Sequence, residues 1–274
     1  PGKISMVDLK NYRVIEREPV CAPYREYEVC GMGAPSSGAI ALGEILGVLQ
    51  NQDMKALGAE NIHSWRWIGD ASRIAFADRD YYVGDPAFVN VPTRALISQA
   101  YLKPRAEEIR QSDKALENIQ AGRVGKAYAQ GMAVELPSTS HLVVVDKDGN
   151  VVSMTTSIEN AFGSGLMTNG YLLNNELTDF AFNPVGADGK TVANSVAGGK
   201  RPRSSMAPTI VMKGGKPYLA VGSPGGSRII GFVAKTLVAH IDWGMDIQAA
   251  ISLPNMLNRG SQYEIEEKTA AADK

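Results

Sequence analysis

Apolar positions recur at two different periods along the chain, and the change of period divides it. In the first half the spacing is helical. Ile40, Leu42, Ile45, Leu46 and Leu49 share one face behind Pro35-Ser36-Ser37-Gly38, whose serines suit a helix start. Ile62, Trp65, Ile68, Ser72, Ala75 and Arg79 predict a second helix from about Ala59 to Arg79. Polar turns at Asp78-Arg79-Asp80 and Gly84-Asp85-Pro86 close it. Pro92 and Pro104, each suited to a first helical turn, predict short helices over 93–102 and 104–110. Residues 1–30 read as extended segments with a turn. From Gln111 to Leu136 no period is sustained, and Gly122, Gly125 and Gly131 lie scattered among charges. That stretch reads as a linker or a processed, mobile segment.

After Thr139 the period falls to two. Leu142-Val143-Val144-Val145-Asp146 and Val151–Thr156 predict a hairpin across Asp148-Gly149-Asn150. A proline-bearing loop with a cluster of hydroxyls leads into it, Leu136-Pro137-Ser138-Thr139-Ser140-His141, and the strand behind Thr139 is expected to be buried. Thr209–Met212 and Tyr218–Val221 pair across Gly214-Gly215. Gly222-Ser223-Pro224-Gly225-Gly226-Ser227 then opens a helix from Arg228 to His240, and another begins near Asp246. Helices, then antiparallel strands, then helices predict an α+β chain with helical layers on sheets rather than a parallel wound fold.

Charge narrows the partners. Lys and Arg number 28 against 29 Asp and Glu, a formal net charge of -1, which gives no electrostatic footprint for nucleic acid. No apolar run approaches the roughly 18 residues of a membrane span. No signal peptide opens the chain, which reads as starting inside a longer protein. Cys21 and Cys30 flank a two-residue turn at Arg25-Glu26 that sets them opposite each other. A cross-strand disulfide and two small buried thiols are both open, the thiols being the plainer reading.

Several polar groupings have the composition of a reaction site. The three histidines, His63, His141 and His240, stand far apart outside any metal-ligand spacing, so neither a metal nor a cofactor is expected. No G-x-S-x-G is present. Thr139 heads a strand; a cut just before it would put a nucleophilic hydroxyl and a free amine base on one residue. The loop Gly222–Ser227 directs backbone N–H groups at a helix N-terminus, which suits an oxyanion on Gly225 and Gly226, and equally suits a tight turn. Ser204 and Ser205, beside Arg201 and Arg203, suit a carboxylate or a solvated loop. Glu176 and Asp179 suit an ammonium, although an ordinary polar turn is the plainer reading; Glu159, two residues past Ser157, reads the same way.

Taken together and in order, these segments resemble the γ-glutamyltranspeptidases. The resemblance is carried by Thr139-Ser140-His141, Val145–Asn150, Phe162-Gly163-Ser164-Gly165, Leu172-Leu173-Asn174-Asn175, Arg201–Thr209 and Gly222–Arg228. Upstream, Pro35–Gly38 and Ala77-Asp78-Arg79 with Tyr82, Gly84, Asp85 and Pro86 agree. It implies a four-layer αββα N-terminal-nucleophile hydrolase fold, incomplete here: residues 1–138 as the C-terminal part of a large subunit with a processed tail at about 111–138, and 139–274 as the start of a small subunit. It further implies a precursor that cuts itself at Ser138–Thr139. Thr139 then attacks a γ-glutamyl amide of a glutathione-like molecule, and the acyl group passes to water or to an amino acid or peptide. Gly225 and Gly226 match the oxyanion hole, Ser204 and Ser205 the α-carboxylate site, Glu176 and Asp179 the α-ammonium site. Ser157 falls where the family has a threonine bonded to the nucleophile. A periplasmic or extracellular site is implied in the same way.

Three departures accompany the resemblance. Glu159 stands where asparagine is usual, which adds an anion and keeps a glutaryl or cephalosporin-type acylase as the alternative. Loop 183–200 is shorter than the family's lid and has no aromatic residue, so hydrolysis is expected to exceed transfer. No arginine matches the family's carboxylate clamp, so little turnover is expected of residues 1–274 alone. A non-catalytic scaffold is the reading from another class.

Overall fold

The structure is a computed structural model that describes residues 3–126, 128–131, 133, 138–260 and 262–269. Before the hydroxyl cluster run α1 (Met6–Asn11), β1 (Val20–Tyr24), β2 (Tyr27–Gly31), α2 (Gly38–Leu49), α3 (Met54–Leu57), α4 (Ile62–Tyr82), α5 (Thr93–Leu96) and α6 (Gln99–Arg110). After it come β3 (Ser140–Val145), β4 (Val151–Thr156), β5 (Met167–Thr168), β6 (Tyr171–Leu172), β7 (Thr209–Lys213) and β8 (Lys216–Val221). The described chain closes with α7 (Ile229–Ile241), α8 (Ile247–Ser252), β9 (Met256–Asn258) and β10 (Tyr263–Ile265).

The main sheet is antiparallel throughout, in the order β1-β2-β7-β8, and so takes two strands from each side of Thr139. β2 meets β7 in the register Val29↔Val211 and Gly31↔Thr209. Every residue of α2 is buried, as its run of Ala, Ile, Leu, Val and Gly requires of a helix apolar all round. It packs against β1, α4, α6 and α7. Tyr24, Val29, Leu42, Ile45, Leu46, Ile74, Val211, Ile230 and Leu237 belong to this core, and each such aliphatic side chain contributes about 1.5–3 kcal/mol by leaving water. Helices and antiparallel strands are thus arranged as the α+β expectation has it.

Five expectations need correction or refinement. The polar run Asp78-Arg79-Asp80 does not end a helix; α4 continues through it to Tyr82, because Asp78 and Arg79 are buried and find partners from distant segments. The helix expected over 93–102 breaks between α5 and α6, and Pro104 lies inside α6 rather than opening a new helix. The two cysteines are joined, S–S 2.08 Å, across the directly opposed pair Cys21↔Cys30. The strand behind Thr139 is not buried: β3 pairs only with β4 among the described residues, and Val144 and Val145 are 53% and 62% exposed.

The fifth concerns the weakly patterned segment. It carries no helix or strand from Ser112 to Val124, yet α4 straps its backbone along the way. Arg66 donates to Lys114 O (2.9 Å), Leu116 N to Asp70 (3.1 Å), Gly122 N to Asp78 (2.8 Å) and the Tyr82 hydroxyl to Gly122 O (2.6 Å). Residues 127, 132 and 134–137 of the expected processed tail, Leu136 and Pro137 among them, lie outside the described residues.

Candidate active site

Thr139 stands one residue before β3, where the arm gives way to the hairpin. Its Oγ1 donates to the carbonyl oxygen of Ser138 at 2.7 Å, and lies 3.4 Å from Ser157 Oγ, just past the end of β4. Ser157 Oγ donates to the same Ser138 oxygen at 2.8 Å and accepts from the Glu159 amide at 2.9 Å. Two hydroxyls therefore converge on one carbonyl, the one preceding the expected nucleophile. Pairing β3 with β4 brings this about: Ser140↔Thr156 sets the residues just outside the ladder, 139 and 157, side by side.

Around Thr139 and Ser157 a cavity is lined by Glu159, Glu176, Asp179, Ser204, Ser205, Met206, Gly226 and Ile229. Its space of about 20 Å³ suffices for a single water. The three acids form one wall. Glu159 is buried with φ 71°, a left-handed conformation that a glutamate adopts only when its surroundings impose it. The Asn175 amide group donates to its carboxylate and accepts from Asn160 N at 3.0 Å, so Asn175 orients Glu159. Glu176 and Asp179 open and close a single 3₁₀ turn, and the Asp179 carbonyl accepts from the Asn194 side chain at 2.7 Å. Asn194 also accepts from Arg203 N at 2.9 Å, so loop 183–200 joins the acid wall to the serine wall.

The serine wall is built by the turn before α2. Ser37 caps no amide of α2; its hydroxyl donates instead to Ser204 O at 2.7 Å, and its own amide reaches the same oxygen at 2.7 Å. Ser204 Oγ accepts from Met206 N at 3.1 Å and Ser205 Oγ from the Arg79 guanidinium at 2.7 Å. Each hydroxyl thus spends a lone pair inside the protein and keeps its hydrogen for a ligand. Gly225 (φ 132°) and Gly226 (φ 58°) make the turn into α7. Gly226 lines the cavity and Gly225 sits behind it, where an added Cβ would come within 2.8 Å of Phe232.

All ten expected site residues therefore lie at or directly behind one cavity. Met206 and Ile229 also line it, Asn175 and Arg79 hold lining side chains from behind, and none of the four carried a role in the sequence reading. Three of them lie in segments that carry the resemblance: Arg79 in Ala77-Asp78-Arg79, Asn175 in Leu172-Leu173-Asn174-Asn175 and Met206 in Arg201–Thr209. Among the described residues the metal-type cluster Cys21, Glu28 and Cys30 has both sulfurs tied in the disulfide.

The model of the family described as Gamma-glutamyltranspeptidase matches residues 1–273. The chain belongs to that family. Curated relatives include a glutathione hydrolase proenzyme of Escherichia coli (strain K12), 41% identical over 92% of this chain and 44% of the relative. An acylase ACY 1 proenzyme of Pseudomonas sp. (strain V22) is 36% identical over 97% of this chain and 45% of its own length. The chain thus spans somewhat under half of these relatives. Among solved structures, the cephalosporin acylase from Bacillus halodurans superposes with a TM-score of 0.82 at 24% identity, covering 99% of this chain and 46% of that one. The fold is the α+β fold of the N-terminal-nucleophile hydrolases.

Proposed function

We propose that this chain carries the reaction centre of a γ-glutamyltransferase/glutathione hydrolase made as a self-cleaving precursor. The convergence of the Thr139 and Ser157 hydroxyls on the Ser138 carbonyl carries this reading. Thr139 Oγ1 attacks that carbonyl carbon; an ester bond forms, the Ser138–Thr139 C–N bond breaks, and the proton passes to the departing amine. Ser157 donates to the oxygen as negative charge gathers on it. Water then hydrolyses the ester, leaving a carboxylate on Ser138 and a free hydroxyl and amine on Thr139. The space for one water beside Thr139 suits this step.

The new α-amine, with a reference pKa of about 7.7–8.0, is a suitable base near neutral pH. It takes the proton from Thr139 Oγ1 as that oxygen attacks a γ-glutamyl amide and returns it to the leaving amine. Gly226, with Gly225 behind it, supplies N–H donors for the oxyanion. Glu159, Glu176 and Asp179 receive the substrate ammonium; Ser204 and Ser205 receive its carboxylate. Water, or an amino acid or peptide, then takes the acyl group, and the absence of an aromatic residue in loop 183–200 supports water. The two products of the cut stay paired as large and small subunits. The disulfide supports an oxidising compartment, periplasmic or extracellular.

The acylase reading is separated by charge, because a glutaryl group brings no ammonium to the acid wall. The test uses the full-length protein. N-terminal sequencing is expected to find a fragment beginning at Thr139, absent from Thr139→Ala, and γ-glutamyl-p-nitroanilide is expected to be cleaved in preference to the glutaryl anilide. An uncut chain after long incubation would remove the self-cleavage; preference for the glutaryl compound would turn the assignment to the acylase.

A further inference from the structure

Two segments of the large half, Pro35–Gly38 and Ala77–Arg79, take no part in the chemistry derived above. They meet directly behind the serine wall. Arg79 is 4% exposed, and the partners of its guanidinium include three among the described residues: Nε donates to Ser37 Oγ at 2.8 Å, Nη2 to Ser205 Oγ at 2.7 Å, and Nη1 to Asp80 at 3.1 Å. Its Cζ lies 5.3 Å from the centre of the Phe76 ring.

We infer that Arg79 is a positioning residue for substrate recognition: it fixes Ser205 directly, and Ser204 through Ser37, so that both hydroxyls present their hydrogens to the substrate α-carboxylate. This rests on the γ-glutamyl reading. A guanidinium is planar, so the angle between its Nε–H and Nη2–H bonds sets the spacing of Ser37 and Ser205. Ser37 transmits that constraint to Ser204, whose carbonyl it holds with both its hydroxyl and its amide at 2.7 Å. Ser205 Oγ, by accepting from a cation, is polarised as a donor, and its one hydrogen is free to turn toward the cavity that it lines. A lysine can supply the charge but not the two fixed directions.

The test compares γ-glutamyl-p-nitroanilide with 4-aminobutyryl-p-nitroanilide, which lacks only the α-carboxylate, in the processed full-length protein. Arg79→Lys is expected to raise KM for the γ-glutamyl substrate about tenfold with little change in kcat, and to leave the 4-aminobutyryl KM within about twofold. Arg79→Lys combined with Ser205→Ala is expected to lose less than the two single variants added together, since they share the Ser205 hydroxyl and only the branch through Ser37 to Ser204 remains for Arg79→Lys to disturb. Equal losses on the two substrates, or additive losses in the double variant, would overturn the inference. Should Arg79→Lys fail to mature, Ser37→Ala carries the test: a KM rise confined to the γ-glutamyl substrate supports the relay, and an unchanged KM overturns it. A wild type that ignores γ-glutamyl-p-nitroanilide would instead refute the functional reading beneath.

Discussion

The amide of Gly122 donates to the Asp78 carboxylate at 2.8 Å, so a buried acid within α4 fastens the arm that leads to Ser138. The other Asp78 oxygen accepts from the Tyr101 hydroxyl at 2.6 Å. Glu44 of α2 faces Asp78, and its oxygens meet no N–H or O–H donor among the described residues, so only a proton of its own lets it bond Asp78. Burial first, and then the Asp78 charge, push the Glu44 carboxyl well above its ordinary range, while Arg105 pulls weakly the other way. With the folded value above the unfolded one, this contribution to stability is complete below about pH 4.3 and is lost as pH rises through the folded value. Glu44→Gln keeps a donor without a titrating proton. Its Tm is expected to gain on the wild type progressively above about pH 4.3. A difference independent of pH would show that the pair shares no proton.

Ser157 is expected to matter more to the cut than to the fold. Ser157→Ala removes one of the two donors on the Ser138 oxygen and should slow appearance of the Thr139 fragment by about 10²–10³-fold, with Ser157→Thr close to wild type. Time courses of cleavage on denaturing gels measure this, and an unimpaired alanine variant would leave Ser157 without that role.

Lys235 ties α7 to the end of α8. Its Nζ donates to the carbonyls of Ala250, Ile251 and Leu253 at 2.9, 3.1 and 2.8 Å. Burial lowers its pKa to about 8, a sign that the charge is held at a cost. Lys235→Met recovers that cost but strands the three carbonyls, so a net loss of about 2 kcal/mol is expected in denaturant titrations at pH 7. Unchanged stability would mean that water replaces the ammonium.

The disulfide closes a loop between positions only 9 apart, so it removes little chain entropy. Cys21→Ala with Cys30→Ala is expected to cost about 2–3 kcal/mol at most. Thiol titration of the unfolded wild type should find no free thiol before reduction and two after it, one for each cysteine; free thiols at the outset would contradict the bond.

Local pattern made the hairpins and α2 legible in the sequence, because each rests on neighbours: Tyr24↔Tyr27 around Arg25-Glu26, and Lys213↔Lys216 around two glycines with positive φ. The true end of α4 was not legible. Asp78 and Arg79 look like turn residues until Gly122 and Ser205, 44 and 126 positions away, are seen to satisfy them. The exposure of β3 was hidden for a similar reason, since alternation of side chains predicts a strand but not which face is covered. Residue type left the acids and serines with open alternatives that the resemblance narrowed, whereas Asn175 and Arg79, which orient other side chains rather than line the cavity, lay within its segments without a role.

The main sheet draws β1 and β2 from one side of the Ser138–Thr139 bond and β7 and β8 from the other, and α2 and α7 press on the same core. A cut at that bond leaves every one of these contacts in place but changes the order of the folding reaction. Before it, unfolding is unimolecular. After it, melting separates two polypeptides, so the midpoint rises with protein concentration, and reassembly requires an encounter between them. Such a cut would therefore commit the molecule: once the two pieces were lost to dilution or proteolysis, recovery would be second order.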